Sequence, residues 1–234
     1  MKNLKNLRNR ISIARQAGFT LVEIAIVLVI IGLLLVGVLQ GQEMIENGKI
    51  KSLVNNLKGV QAAYYTYQDR YQAIPGDDLL ASTRFTGADN GSGNGAIAGL
   101  FSAVAAPAAA AESNSFWQHT RMAGLLSGSA TDAVALPANN NFGGVIGVQS
   151  HVTAAGAATY GMVGNVVCAS NVPWKVALAV DLQLDDGASG TGKVRAGADA
   201  TLATAGAANA AVYGPTVPAT ALLEAGNHTI CMKL

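Results

Sequence analysis

The sequence predicts an α+β protein in which a long N-terminal helix packs on a C-terminal antiparallel β-sheet. The first observation is an apolar run, Leu21–Leu39, which continues into an amphipathic helical pattern up to about residue 70. The second is a group of β-rich segments, bounded by Gly, Asn and Pro, that begins only after residue 142. Because helical and strand patterns are separated along the chain, they favour an α+β fold over alternating α/β units.

Residues 1–18 form a basic leader. Its charged residues are Lys2, Lys5, Arg8, Arg10 and Arg15. The whole chain has a formal charge of +1, but the remainder after this leader has 10 basic and 14 acidic side chains, a formal charge of −4. A weakly acidic body argues against nucleic-acid binding as the default role, because phosphate binding requires a basic face.

Residues 19–42 are predicted to form a hydrophobic transmembrane helix. A helix over the 19 residues of Leu21–Leu39 spans about 28 Å, close to the hydrocarbon thickness of a bilayer. The basic leader places the N-terminus in the cytoplasm and the rest of the chain across the membrane. A secretory signal peptide explains the run less well, because its apolar part is usually about 7–15 residues long and ends in a small-x-small cleavage site.

Glu23 is the one charged residue inside this run. A carboxylate at the centre of a membrane helix costs about 2.5–3.5 kcal/mol, and less near a helix end, so such a residue usually has a function and a partner. Cleavage between Gly18 and Phe19 would create an α-amine close to it. Glu23 would then lie in the first turn, where the helix dipole favours an anion. A plain signal anchor explains the length of the run but not Glu23.

The stretch Gly18-Phe19-Thr20-Leu21-Val22-Glu23, between a basic leader and an apolar run, resembles the N-terminus of type IV pilins and pseudopilins. In that family a prepilin peptidase cuts after the glycine and methylates the new amine. The resemblance therefore implies cleavage between Gly18 and Phe19 and N-methylation of Phe19. It also implies that the helix over residues 19–42 is the assembly helix, with roles for Phe19 and Glu23, since the family's glutamate is thought to pair with the terminal amine of a neighbouring subunit. Many members have a proline near the position of Gln40, and this chain does not.

Residues 43–72 are predicted to form an amphipathic continuation of the same helix, which as a whole covers about Thr20–Arg70. Pro75 and Gly76 follow the end of this pattern. Residues 73–234 are then expected to form a globular head with a sheet and a disulfide loop. Within it, the spacing of Phe116 and later apolar residues predicts a second helix over residues 115–128.

Five segments of the head have the composition of strands, and we expect a sheet of about four strands from them. They are "GGVIGVQ", "YGMVGNVVC", "WKVALAVDLQL", "GKVRAG" and "HTICMKL".

In an exported domain, Cys168 and Cys231 are most simply interpreted as a disulfide. Such a bond would contribute roughly 4 kcal/mol by closing a long loop. The alternative is a pair of buried free thiols in a cytosolic protein.

The loop around residues 85–97 resembles a calcium-binding loop in part. Its oxygen-bearing residues Asn90, Ser92 and Asn94, with Asp89 beside them, imitate the spacing of such a site. Most of the required carboxylates are missing, and no glutamate lies at the twelfth position. We therefore favour an ordinary Gly/Asn loop over a Ca²⁺ site, and we expect no other cofactor.

Other candidate residues have simple structural interpretations. Three aspartates, Asp181, Asp185 and Asp186, are compatible with a metal site or with turn chemistry, and we favour the turn. Three histidines lack metal-spaced companions and are interpreted as structural or exposed: His119, His151 and His228. No sequence feature requires an enzyme.

The resemblance implies a structural subunit of a type IV pilus, held in the bacterial inner membrane before assembly and exposed at the cell surface afterwards. Its expected partners are further copies of the chain, prepilin peptidase and the pilus assembly machinery, and the filament would serve adhesion, motility or DNA uptake. A minor pilin and a type II secretion pseudopilin share the N-terminal signature and remain alternatives. A membrane-anchored adhesin or enzyme, with the helix as a tether only, is an alternative of another class.

Overall fold

The computed structural model describes residues 19–102, 111–129, 138–150, 162–198 and 227–234. The helices in these residues are α1 (Leu21–Tyr71), α2 (Ala81–Arg84), α3 (Glu112–Met122) and α4 (Trp174–Leu184). The strands are β1 (Ala138–Asn139), β2 (Val145–Ser150), β3 (Asn165–Pro173), β4 (Val194–Ala198) and β5 (Asn227–Lys233). All neighbouring strands pair antiparallel, in the order β1-β2-β3-β5-β4. The predicted α+β class, with a long N-terminal helix and a C-terminal antiparallel sheet, is therefore confirmed.

The chain divides into two compact units, residues 1–45 and residues 46–234. In the first unit the described residues are 19–45, which are helical from Leu21 onward. Every one of these residues is exposed, the apolar ones included. Exposed apolar surface of this extent is typical of a segment that interacts with a membrane or with another molecule.

The later part of α1 forms one wall of the core of the second unit. Leu53, Leu57 and Val60 lie on one helical face and are at most 4% exposed. They pack in one cluster with Val167 of β3 and Ile230 of β5. Fully burying an aliphatic side chain of this kind contributes about 1.5–3 kcal/mol. The apolar residues of the amphipathic pattern thus form the helical face by which this part of α1 packs on the sheet.

Residues Trp174–Leu184 form a helix, so the prediction of a strand for "WKVALAVDLQL" is wrong. The buried residues are Val176, Ala177, Val180 and Asp181. This spacing places them on one side of a helix, whereas a strand would alternate between its two faces. A short apolar run with several valines fits either pattern. Packing of α4 in the same core cluster as the sheet decides between them.

The second predicted helix is present but shifted from residues 115–128 to Glu112–Met122. Phe116 is fully buried, as its spacing predicts. The helix ends before Gly124, which has a φ of 70°, a left-handed conformation that glycine adopts without strain. The amide of Leu125 donates to the carbonyl of Thr120 at 2.9 Å and closes the last turn. Gly124 therefore stops the helix, before the predicted end at residue 128.

Cys168 and Cys231 are joined by a disulfide in the structure. They lie directly opposite each other on β3 and β5, and both are fully buried. Phe101, Met162 and Val166 pack around the two sulfurs. The bond therefore joins two neighbouring strands that are separated by 63 residues of sequence.

Candidate functional site

Thr20 and Glu23 form a capping box at the start of α1. The hydroxyl and the backbone amide of Thr20 both donate to Glu23 Oε2, at 2.9 and 2.8 Å. The amide of Glu23 donates back to the hydroxyl of Thr20 at 3.2 Å. These reciprocal bonds satisfy backbone donors that the first turn of a helix leaves open. They also fix the carboxylate of Glu23 at the N-terminal end of the apolar helix.

Glu23 was predicted as an assembly residue, whereas Thr20 was predicted only as part of the N-terminal motif and not as a partner of Glu23. The signal was available, since Thr20-x-x-Glu23 ahead of an apolar run is the sequence pattern of a capping box. Phe19 is next in the chain and is 82% exposed. Gly18, the other residue of the predicted cleavage site, lies outside the described residues. The structure therefore places one side of the predicted scissile bond next to the capping box.

Among the described residues, α1 is the one helix that is long and apolar enough to cross a membrane, judged by its length and composition. None of its most apolar 18-residue window is buried. The helix continues without a break through Gly37 and Gly41. A Cβ atom added at either glycine would meet no atom within 4 Å. Nothing in the described structure therefore requires glycine at these two positions.

The loop that imitates a calcium site is held by hydrogen bonds to other parts of the chain. Asn90 Oδ1 and Asn94 Oδ1 each accept a backbone amide at 2.8 Å. Ser92 Oγ donates to Asp77 Oδ1 at 3.0 Å, and the amide of Asn94 donates to the same oxygen at 3.1 Å. The structure thus brings Ser92 and Asn94 together at Asp77, whereas Asn90 binds the first residues of α2 and the amide of Asp89 donates to α3.

Asp77 lies outside residues 85–97 but accepts hydrogen bonds from three residues of this loop, a role that no sequence pattern indicated. Its side chain is buried, and Oδ2 accepts the amide of Gly95 at 2.6 Å. Glu112 has a similar role from α3, since its two carboxylate oxygens accept the amides of Ser92 and Ala98 at 2.7 and 2.8 Å. The loop is therefore ordered by two buried carboxylates that accept hydrogen bonds from its backbone amides.

Replacing Asp77 by Ala is expected to lower the free energy of unfolding by about 3 kcal/mol, because three donors lose a charged acceptor. Urea unfolding of the full chain in detergent measures this loss. Asp89→Ala is the matched control, since Asp89 lies in the same loop but is exposed, and we expect it to change stability by less than about 0.5 kcal/mol. Equal stability of Asp77→Ala and the control would contradict this role.

Asp181, Asp185 and Asp186 have carboxylate oxygens within 4.8 Å of one another. Asp186 accepts the hydroxyl of Thr191 at 2.7 Å, and this bond is the main reason why the pKa of Asp186 is lowered from its usual value. Asp185 accepts the amide of Val194 at 3.1 Å. These bonds support the interpretation of Asp185 and Asp186 as residues that shape the turn between α4 and β4.

Two of the three histidines lie in the described residues, and both are buried. His119 is fully buried on α3 and His228 is 2% exposed on β5. His151 lies outside the described residues. His119 makes hydrogen bonds to backbone groups of residues 73–95, which sequence spacing alone did not indicate.

Residues 13–39 match a family model described as the prokaryotic N-terminal methylation motif, which is the type IV pilin signature. The matched stretch contains the predicted cleavage site, the capping box and the apolar run as far as Leu39. The motif implies processing by a prepilin peptidase, and together with the exposed apolar helix it fits a precursor in the inner membrane. No match to a curated protein or to a solved structure was found.

Proposed function

We propose that this chain is the precursor of a type IV pilin that polymerises into a filament through α1. A prepilin peptidase cuts between Gly18 and Phe19 and methylates the amine of Phe19. The mature chain then leaves the inner membrane and assembles with further copies at the cell surface. The observation that carries the proposal is the methylation motif at residues 13–39, with an apolar helix that no described part of the chain covers.

The exposed helix supports membrane insertion followed by assembly. Its apolar run is long enough for a bilayer, and the basic leader orients it. Outside lipid the same surface is unfavourable in water by about 25 cal/mol per Å² of apolar area. Association of equivalent helices removes this surface from water. Gly37 and Gly41, which have open space around their Cα atoms here, suit close helix–helix approach.

Glu23 provides the specificity of this association. Its carboxylate is held at the end of the apolar helix by Thr20, so in a bundle of such helices it would be surrounded by apolar side chains. A buried charge is strongly unfavourable unless it is paired. The amine of a processed Phe19 on a neighbouring copy is the available cation, and pairing sets the axial register of the subunits.

A pseudopilin of type II secretion and a minor pilin remain alternatives, because the methylation motif is common to them. The major pseudopilin is typically shorter and lacks a C-terminal disulfide loop, so the length of this chain and the Cys168–Cys231 bond favour a pilin. Recovery of filaments sheared from cells separates these cases. An abundant chain is a major pilin, traces indicate a minor subunit, and none indicates a pseudopilin or a membrane-anchored adhesin or enzyme.

The mass of the mature N-terminal peptide is the direct test of processing. We expect a peptide that begins with Phe19 and is one methyl group heavier than the unmodified sequence. A Gly18→Val variant should retain residues 1–18, because the residue before the cut is altered and the rest of the motif is kept. A wild-type protein that begins at Met1, or an unmodified amine at Phe19, would contradict the proposal.

A further inference from the structure

His119 connects α3 to the segment formed by residues 73–95 through two hydrogen bonds. The backbone amide of Gly76 donates to Nδ1 at 2.9 Å, and Nε2 lies 2.7 Å from the carbonyl oxygen of Asp89. An amide can only donate, so Nδ1 must carry a lone pair. A carbonyl can only accept, so Nε2 must carry the proton. The imidazole that makes both bonds is therefore the neutral Nε2–H tautomer.

The backbone of the segment lies in close contact with the backbone of α3 at Gly76. Gly76 has a φ of 91°, and a Cβ atom there would lie 2.5 Å from the carbonyl oxygen of Glu112. Next to His119, Gln118 accepts the amide of Asp89 at 2.9 Å and donates to the carbonyl of Gly87 at 3.2 Å. The contact thus consists of two adjacent side chains of α3 and the backbone of the segment.

We propose that His119 is a proton-operated latch, which holds residues 73–95 on α3 as a neutral imidazole and releases Gly76 when Nδ1 takes up a proton. A protonated Nδ1 is a donor and faces the N–H of Gly76, so the bond between them is lost and the two hydrogens repel. This inference does not depend on the proposed function.

The surroundings of the ring hold it in the neutral form. Burial is the largest cause and lowers the pKa of His119 from its usual 6.5. The hydrogen bond to Asp89 and the carboxylates of Asp78 and Asp89 act in the opposite direction, while the cation of Arg84 lowers the pKa further. From α1, the ring of Tyr67 stacks at 6.1 Å between centroids.

Because the pKa of His119 is lowered in the latched form, acid weakens the latch. A histidine whose pKa is lowered in the latched form binds its proton more readily once released. The latch is therefore fully stable above about pH 6.5 and weakens as the pH falls toward the lowered pKa. At pH 5.0 the released fraction is expected to be up to about 30 times that at pH 7.5.

Release is local, because another residue of the segment is tied to α1 independently of His119. Asp78 Oδ2 accepts the hydroxyl of Tyr67 at 2.8 Å and forms an ion pair with Arg84. Burial has the largest single effect on the pKa of Asp78 and raises it, but the hydrogen bonds to Leu80, Tyr67 and Arg84 together lower it below its usual value. Asp78 therefore remains ionised and keeps these bonds when His119 is protonated. Strands β3 and β5 are not part of the latch.

Hydrogen exchange of the full chain in detergent micelles at pH 7.5 and 5.0 tests the proposal, with rates corrected for the intrinsic effect of pH. In the wild type, protection of the Gly76 amide should fall by up to about 30-fold at pH 5.0. Protection of peptides covering residues 85–90 should stay within about threefold, because a protonated His119 still donates from Nε2 to the carbonyl of Asp89 and Gln118 does not titrate. Protection of β3 and β5 should remain within about threefold. An unchanged Gly76 amide, or an equal loss across the sheet, would overturn the latch.

Two variants distinguish the effect of protonating His119 from the effect of losing a contact between α3 and residues 73–95. His119→Asn offers an acceptor near the position of Nδ1 that cannot be protonated, so its exchange at Gly76 should no longer depend on pH. Gln118→Ala removes the adjacent contact, which does not titrate. Amide exchange in residues 73–95 should therefore rise at both pH values, while the pH dependence at Gly76 stays. A His119→Asn protein with the wild-type pH response would refute the proposal.

A wild-type measurement covers the case in which His119→Asn does not fold. Nitrogen-15 NMR of the imidazole should show the Nε2–H tautomer at pH 7.5 and protonation of Nδ1 at the same pH at which Gly76 loses protection. A ring already protonated at pH 7.5, or one that titrates with no change at Gly76, would equally refute it.

Discussion

Replacing Glu23 by Ala is expected to abolish recovery of filaments from cells while cleavage after Gly18 continues. In the proposed assembly the carboxylate pairs with the amine of Phe19 on a neighbouring copy. Removing one partner of a buried ion pair costs about 3–5 kcal/mol, because the other charge stays buried and unpaired. Since 1.4 kcal/mol is a factor of ten, subunit addition should weaken by at least a hundredfold.

Immunoblots of sheared filaments, normalised to the total amount of processed protein, measure this effect. Glu43→Ala is a matched control, because Glu43 is an exposed glutamate on the same helix beyond the apolar run, and it should assemble at a level within about twofold of the wild type. Glu23→Gln is a sharper variant. Its amide oxygen still accepts from Thr20, so the helix start is kept while the charge is lost.

Assembly of both Glu23 variants at the wild-type level would show that the pairing role is wrong. If the variants accumulate with residues 1–18 still attached, Glu23 acts in recognition by the peptidase instead. The mass of the N-terminal peptide distinguishes these outcomes in the same samples.

Removal of the disulfide is expected to lower the free energy of unfolding of the second unit by about 2–5 kcal/mol. The bond crosses a sequence separation of 63 residues, so its loss frees a long segment in the unfolded chain. Cys168→Ala together with Cys231→Ala tests this with little added polarity in a fully buried cluster. The measurement is urea unfolding of the full chain in detergent under oxidising conditions.

Met162→Leu serves as the control for this variant, since Met162 packs in the same cluster as the two sulfurs. A volume-conserving exchange of this kind should cost less than about 1.5 kcal/mol. Reductant should destabilise the wild type and leave the double variant unchanged. A loss below about 1 kcal/mol in the double variant, without a reductant effect on the wild type, would show that the bond contributes little.

The sequence pattern predicted those secondary-structure elements in which the periodicity continues over many residues. The helix expected at Thr20–Arg70 is observed at Leu21–Tyr71, because an uninterrupted pattern of about fifty residues leaves no competing interpretation. Short apolar runs were ambiguous. The segment Trp174–Leu184 satisfies the composition of a strand, and only its packing in the core selects the helix.

Buried polar residues were the least predictable. Asp77 looks like a turn residue in the sequence, yet it binds groups at positions 92, 94 and 95. His119 has no companion nearby in the sequence and meets Gly76, 43 residues away. Such partners are brought together by the path of the chain, which no short window of sequence contains.

The sequence by itself determined the basic character of residues 1–18, the methylation motif, the apolar helix with Glu23 and the sheet-forming character of the C-terminal region. These features depend on residues that are close along the chain, so their physical chemistry is visible in the order of the amino acids. Tertiary structure alone decided the helical state of α4, the carboxylate-ordered loop around Asp77 and the burial of His119 against Gly76. Each of these depends on burial and on donors from distant segments, which exist only once the chain has folded.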